Sequence, residues 1–171
     1  MAAVTVNTNP PAYVPPGPQN YLSAISTQNA SLSTPYNPTR VEGLTALLVD
    51  GITIAGGGND EVYFSTGGIY NIQWSLQVTN NSNQAHLFYV WVAVNGNTVP
   101  DSGSVLTVHS THGGNKGHMI AALNLFLNVN AGDYFNLVWT GDNTNIALET
   151  IPAPINPVPA SPAAILTIQK I

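Results

Sequence analysis

The chain has no cysteine in 171 residues, and only three Lys or Arg stand against eight Asp or Glu, so 6% of it is charged, where an ordinary soluble domain carries about 25%. The missing cysteine excludes disulfides, thiolate zinc sites, iron–sulfur clusters and cysteine nucleophiles together. Scarce Lys and Arg leave no basic patch to neutralise phosphates, which argues against nucleic acid or an anionic membrane as partner. Long apolar runs are missing too. No stretch approaches the ~20 apolar residues of a membrane-spanning helix, and the opening Met1-Ala2-Ala3-Val4 lacks the basic flank of a secretory signal. The chain is therefore expected to be made in a host cytoplasm and to stay off membranes.

Apolar residues make up 44% of the chain and aromatics 8%, enough to build a core and unlike the composition of disorder. With a formal net charge of -5, the surface must be hydrated mainly by Asn, Ser and Thr. Such groups do not repel a neighbouring copy of the same surface, which suits assembly.

Residues 1–40 hold seven of the 13 prolines (Pro10, Pro11, Pro15, Pro16, Pro18, Pro35, Pro38). Proline at this density removes ladder donors and favours extended polyproline-type chain, so 1–40 reads as an N-terminal arm and 41–171 as the folded domain. Tyr13, Tyr21, Leu22, Ile25 and Tyr36 are its apolar anchors, expected to lie on a neighbouring protein.

From residue 42 the pattern is of short strands broken by Gly, Asn and Asp. Asp50-Gly51 and Asn95-Gly96 are hairpin signals, because both dipeptides tolerate positive φ. Gly56-Gly57-Gly58 lacks the Lys-Ser/Thr of a phosphate loop and reads as a connector. Tyr70, Ile72, Trp74, Leu76 and Val78 alternate with polar residues, as in a strand with one wet face. The run 87–94 is apolar on both faces: Phe88, Val90, Val92 and Val94 on one, Leu87, Tyr89, Trp91 and Ala93 on the other. Its second face needs a cover, which another sheet, the arm or another subunit could supply. Further strands are expected at 104–111, 117–129, 133–140, 145–150 and 163–171, joined by a stiff proline-rich loop at 151–162. The fold class is all-β, a jelly-roll sandwich of eight to ten strands.

Specific strings resemble one superfamily. Gly67-Gly68-Ile69-Tyr70-Asn71-Ile72-Gln73-Trp74 is similar to the "GIY" strand of the C1q and tumour-necrosis-factor (C1q/TNF-like) jelly rolls. Val92-Ala93-Val94-Asn95-Gly96 resembles the next hairpin, Leu123–Leu137 with Ala131-Gly132-Asp133 the later strand pair and turn, and Ala163–Ile168 the last inner strand. The resemblance implies a ten-strand jelly roll that assembles as a homotrimer. Leu87, Tyr89, Trp91 and Tyr134 are expected at that trimer interface. The family's secreted members have a signal or stalk that is not seen here. The short segment before residue 67 and the proline-rich, weakly charged character are nearer to bacteriophage capsid decoration and fibre-knob proteins.

Candidate chemistry is sparse. His109 and His112 on a strand point to opposite faces; a bend at Gly113-Gly114 could bring His112 toward His118, and threefold symmetry could gather one histidine on the axis, but a solvated hairpin tip is the expected role. The carboxylates are scattered among turns, no catalytic signature is found, and neither a cofactor nor a metal is expected. Tyr89, Trp91, Tyr134 and Trp139 could form a platform for carbohydrate, with packing the commoner fate of such rings. The functional expectation is a trimeric capsid decoration or cement protein on a virion surface, bound to the major capsid protein or another virion protein. The alternatives are a receptor- or glycan-binding knob and a secreted C1q-like recognition module.

Overall fold

A computed structural model of the chain describes residues 19–171. They contain no helix and fourteen strands. The first sheet contains β1 (Tyr21–Ser26), β2 (Ala30–Ser31), β4 (Leu44–Asp50), β7 (Gly68–Asn80), β11 (Gly117–Val129), β13 (Ile146–Leu148) and β14 (Ala164–Lys170). The second contains β3 (Thr39–Arg40), β5 (Ile52–Ala55), β6 (Glu61–Phe64), β8 (His86–Val94), β9 (Asn97–Thr98), β10 (Ser104–Val108) and β12 (Tyr134–Gly141). Each sheet has a five-strand body, β4-β1-β14-β7-β11 against β5-β6-β12-β8-β10. All pairings are antiparallel. This is the jelly-roll sandwich that the strand pattern predicts.

The core forms where the alternating faces meet. Tyr70, Ile72, Trp74, Leu76 and Val78 of β7 are all at most 3% exposed, facing Phe88, Val90 and Val92 of β8 and Phe135, Leu137 and Trp139 of β12. Phe88 stacks on Trp139 with ring centroids 5.9 Å apart, and Phe64 tilts against Tyr70 at 4.6 Å. Tyr70 is fully buried because its hydroxyl donates to the Thr66 carbonyl at 2.8 Å, leaving its polar tip satisfied.

Two expectations change. The boundary at residue 40 fails, because residues 21–26 form β1, which sits inside the first sheet between β14 and β4. Proline is absent between residues 19 and 34, so the composition that marks an arm stops well before residue 40. Leu22 and Ala24, alternating with Tyr21 and Ser23, meet the core at 1% and 0% exposure. Asp50-Gly51 also closes no hairpin: β4 pairs with β1 while β5 pairs with β6, so the dipeptide turns a corner from one sheet to the other. Gly51 has a φ of 64°, and a Cβ there would meet the Asn20 side chain at 2.2 Å. Asn95-Gly96 does close the expected two-residue hairpin, with φ of 52° and 75° as a type I′ turn requires.

Candidate functional site

The outward side chains of β8 and β12 are the second apolar layer that the sequence left without a cover. Register sets Tyr89 beside Thr140 and Trp91 beside Val138. Residues 36–41 of the same chain run beside β12 as a further edge of the second sheet, in its plane and not over it: Tyr36 N–H donates to the Gly141 carbonyl at 2.7 Å, β3 pairs with Val138 and Trp139, and Val41 N–H donates to the Leu137 carbonyl at 2.9 Å. Asn136, Val138 and Thr140 are buried, and Tyr36, Pro38 and Arg40 flank their layer from that edge. What cover the C-terminal part of the expected arm gives therefore comes from these side chains.

The cover is incomplete. Beyond Tyr36 an open cleft of about 530 Å³ lies over β8, walled by Tyr36, Tyr89, Trp91, Pro100 and Val105, with Asp101 at its rim. Its lining is mainly apolar, and no Lys, Arg or His takes part. Tyr36 and Tyr89 have ring centroids 6.0 Å apart at 51°. Burial, and then the neighbouring Tyr36 phenol, push the Tyr89 hydroxyl above the usual tyrosine range. On the other side of Trp91 a smaller cleft of about 230 Å³ is bounded by Pro38, Arg40, Thr98 and Val138. Trp91 thus forms a half-buried wall between two clefts, whereas Trp74 and Trp139 are core residues. Pro100 and Asp101 hold one edge, and Ser102 pins that loop by donating to the Val99 carbonyl at 2.7 Å.

The cations are already engaged, Arg40 at the border of the smaller cleft included. Arg40 bridges Asp60 at 2.7 Å and Glu61 at 3.2 Å, and the hydrogen bond to Asp60 is the main cause that raises its pKa. Lys116 pairs with Glu149, and Lys170 donates to the Thr66 hydroxyl. An anionic ligand in the larger cleft would find no counter-charge.

Leu87, Tyr89 and Trp91 lie half-buried on this outer layer, and Tyr134 packs on Tyr63 at 5.3 Å at its end. Trp139 faces the core, so the four aromatics named for a carbohydrate platform do not converge; only Tyr89 and Trp91 share the cleft. Of the anchors assigned to the arm, Tyr13 falls outside the described residues, Leu22 is core, Ile25 is half-buried, and Tyr21 and Tyr36 are 37% and 61% exposed. His109, His112 and His118 are exposed, with His112 and Asn115 closing a small turn. Among the described residues no three His, Asp or Glu side chains stand close enough to hold a metal. Asp60 and Glu61, the acidic pair that does converge, meet on Arg40.

A second surface was not singled out in the sequence. The outward face of β11 carries Ile120 and Phe126 at 61% and 64% exposure, and Ile69 of β7 and Ile165 of β14 share its sheet face at 52% and 42%. Beyond β11 the first sheet has no further strand among the described residues. The signal was present: residues 119–127 are apolar at both strand parities, the same pattern that singled out β8.

No family model and no curated protein matches the sequence. Solved structures do match the fold. Murine APRIL, in a structure determined at pH 5.0, superposes with a TM-score of 0.57 at 14% identity over 90% of this chain and 99% of that one. The Eiger TNF of S. frugiperda gives 0.57 at 10% identity over 91% and 94%. At such identity the likeness is one of fold alone.

Proposed function

We propose that this chain, with its C1q/TNF-like jelly-roll fold, is a non-catalytic assembly protein, a homotrimer whose subunits meet through the exposed face and free edge of β11, and that it decorates a larger particle, a virion capsid. The observation that carries the self-association is the 13-residue edge strand β11 with Ile120 and Phe126 exposed. A long apolar edge without charges or proline is a pairing surface that soluble monomers avoid. Its outward side chains are His118, Ile120, Ala122, Asn124, Phe126 and Asn128, without a Lys or Glu to blunt it. A ring of three heterologous contacts closes such a surface without leading to fibres. The expected interface residues Leu87, Tyr89 and Trp91 fit less well, because all three are half-buried and Tyr36, Pro38 and Arg40 of the same chain already crowd Tyr89 and Trp91. The capsid role is supported by the near-absence of charge and of any basic surface.

Light scattering tests the association: the 18.0 kDa chain should run at three times its mass, and Phe126→Asp with Ile120→Asp should run as monomer with an unchanged far-ultraviolet spectrum. A monomeric wild type, or a trimeric double variant, would end the β11 assignment. For the capsid role, purified virions that contain the chain should be labelled on their outer surface by an antibody to it. Labelling confined to disrupted particles would refute decoration.

A further inference from the structure

We propose that the paired clefts on either side of Trp91 bind a proline-rich strand, and that their occupant is residues 10–18 of a second copy of this chain. The shape and chemistry of the wall come first. Half-buried Tyr89 and Trp91 on β8 and exposed Tyr36, Pro38 and Pro100 from the flanking loops present flat, rigid surfaces, with clefts of about 530 and 230 Å³ sharing Trp91. Polyproline-type chain is recognised in this way: prolines three residues apart lie on one face of the three-residue turn and seat in adjacent aromatic-walled slots, with little ordering entropy because proline is already extended.

The occupant is argued from the sequence and from charge. Residues 10–18 read Pro-Pro-Ala-Tyr-Val-Pro-Pro-Gly-Pro; Pro15 and Pro18 have the three-residue spacing, and no side chain in the segment is charged. That matches a larger cleft with no cation and one rim carboxylate, Asp101. A second copy rather than the same one follows from where the segment joins the fold. Gln19 N–H is tied to the Asp50 carboxylate at 2.8 Å, beside β1 in the first sheet. The clefts are on the outer layer of the second sheet. Packed sheets stand about 10 Å apart, and a side-chain layer lies beyond, whereas Pro15 is at most about 12 Å of polyproline-type chain from Gln19 at roughly 3.1 Å per residue. Pro15 and Pro18 therefore fall short of their own cleft, which leaves them for a neighbour's. Nothing here rests on the trimer reading; a monomeric body would still carry the clefts.

The test uses the intrinsic tryptophans, since Trp74 and Trp139 are buried and Trp91 is the ring that borders the clefts. Chain lacking residues 1–18 is titrated with a synthetic peptide of residues 8–19. Emission should shift to the blue and saturate, and a peptide with Pro15 and Pro18 replaced by Ala should bind roughly tenfold more weakly, the loss of about 1.4 kcal/mol of ring packing. Tyr89→Ala should weaken binding to a similar degree. Should that variant misfold, amide shifts of the unsubstituted truncated protein should map the peptide to residues 89–91 and 98–101. In the full chain carrying Ile120→Asp and Phe126→Asp, so that no trimer holds neighbours together, acrylamide should quench tryptophan less than in its counterpart lacking residues 1–18, and the difference should vanish on dilution if the donor is a second copy. No saturable response to the peptide, or saturation by a neutral oligosaccharide with none by the peptide, would overturn the assignment. A concentration-independent difference in quenching would overturn the second-copy donor.

Discussion

Leu22→Ala tests whether residues 21–26 are part of the sandwich or of an arm resting on it. Leu22 is 1% exposed, paired with Ile168 on one flank and Val49 on the other. The substitution removes the isobutyl packing atoms and leaves a cavity. Because backbone ladders fix β1 on both edges, the surroundings have little freedom to collapse into it, which places the cost in the middle to upper part of the measured range for such truncations, about 3–4 kcal/mol. For a chain of this length each kcal/mol lowers Tm by roughly 2–4 °C, so a fall of about 10 °C is expected. Urea denaturation at one fixed protein concentration is the better assay, since association makes apparent stability concentration-dependent. The midpoint should drop with the slope unchanged, the signature of lost stability without a change in exposed surface. Val158→Ala in the exposed 151–162 loop serves as control and should cost less than about 0.5 kcal/mol. If Leu22→Ala unfolds within about 0.5 kcal/mol of wild type, below the usual cost of truncating a buried Leu, β1 does not belong to the cooperative core and the arm reading of residues 1–40 returns.

Two other positions give sharp expectations. Asp133 accepts hydrogen bonds from Asn130 N–H at 2.7 Å and from the Asn95 side-chain amide at 2.8 Å, with the Asn130 backbone bond the main cause that holds its carboxyl below the usual range. A depressed folded-state pKa contributes stability that is present above the unfolded value and lost as pH falls through the folded one. Asp133→Asn should therefore be less stable than wild type at pH 7 by thermal melting, and the gap should close as the pH is lowered below 4; a gap that persists in acid would show that the charge is not the cause. At Gly117 a Cβ would stand 1.8 Å from the His109 carbonyl oxygen. Gly117→Ala should force the start of β11 away from residue 109 and cost more than about 2 kcal/mol, while Gly103→Ala, with open space around it and no positive φ, should cost less. Equal melting temperatures for the two variants would contradict the close approach.

Strand identity was legible wherever alternation was strong. β7 has the facing that its sequence implies: Tyr70 to Val78 point inward because a period of two admits no other assignment once one face is apolar. Sheet membership was not legible. Asp50-Gly51 and Asn95-Gly96 are equivalent as local turn chemistry, yet one crosses between sheets and the other closes a hairpin. The difference lies in what the flanking strands pair with: β4 finds β1, a partner that precedes it by about 20 residues, and β5 finds β6. The cleft was half legible. Tyr89 and Trp91 were marked by a doubly apolar strand and Tyr36 as an anchor of the arm, though for a neighbouring protein, while Pro100 comes from a segment whose local sequence says only loop.

Composition and periodicity alone determined that this chain builds an all-β core, that it offers no basic surface to phosphate, and that the strand at 87–94 has two apolar faces. Those properties are additive over residues and need no knowledge of partners. Tertiary structure decided which apolar faces remain open. Residues 36–41 are tied to the edge of β12 by hydrogen bonds to residues more than 90 positions away in sequence, which sets the Tyr36 ring against Tyr89 of β8, and the open apolar surface that remains is at β11 and at the clefts beside Trp91. Exposure depends on how the whole chain is arranged, so only the folded chain could show where an apolar surface still lacks a partner.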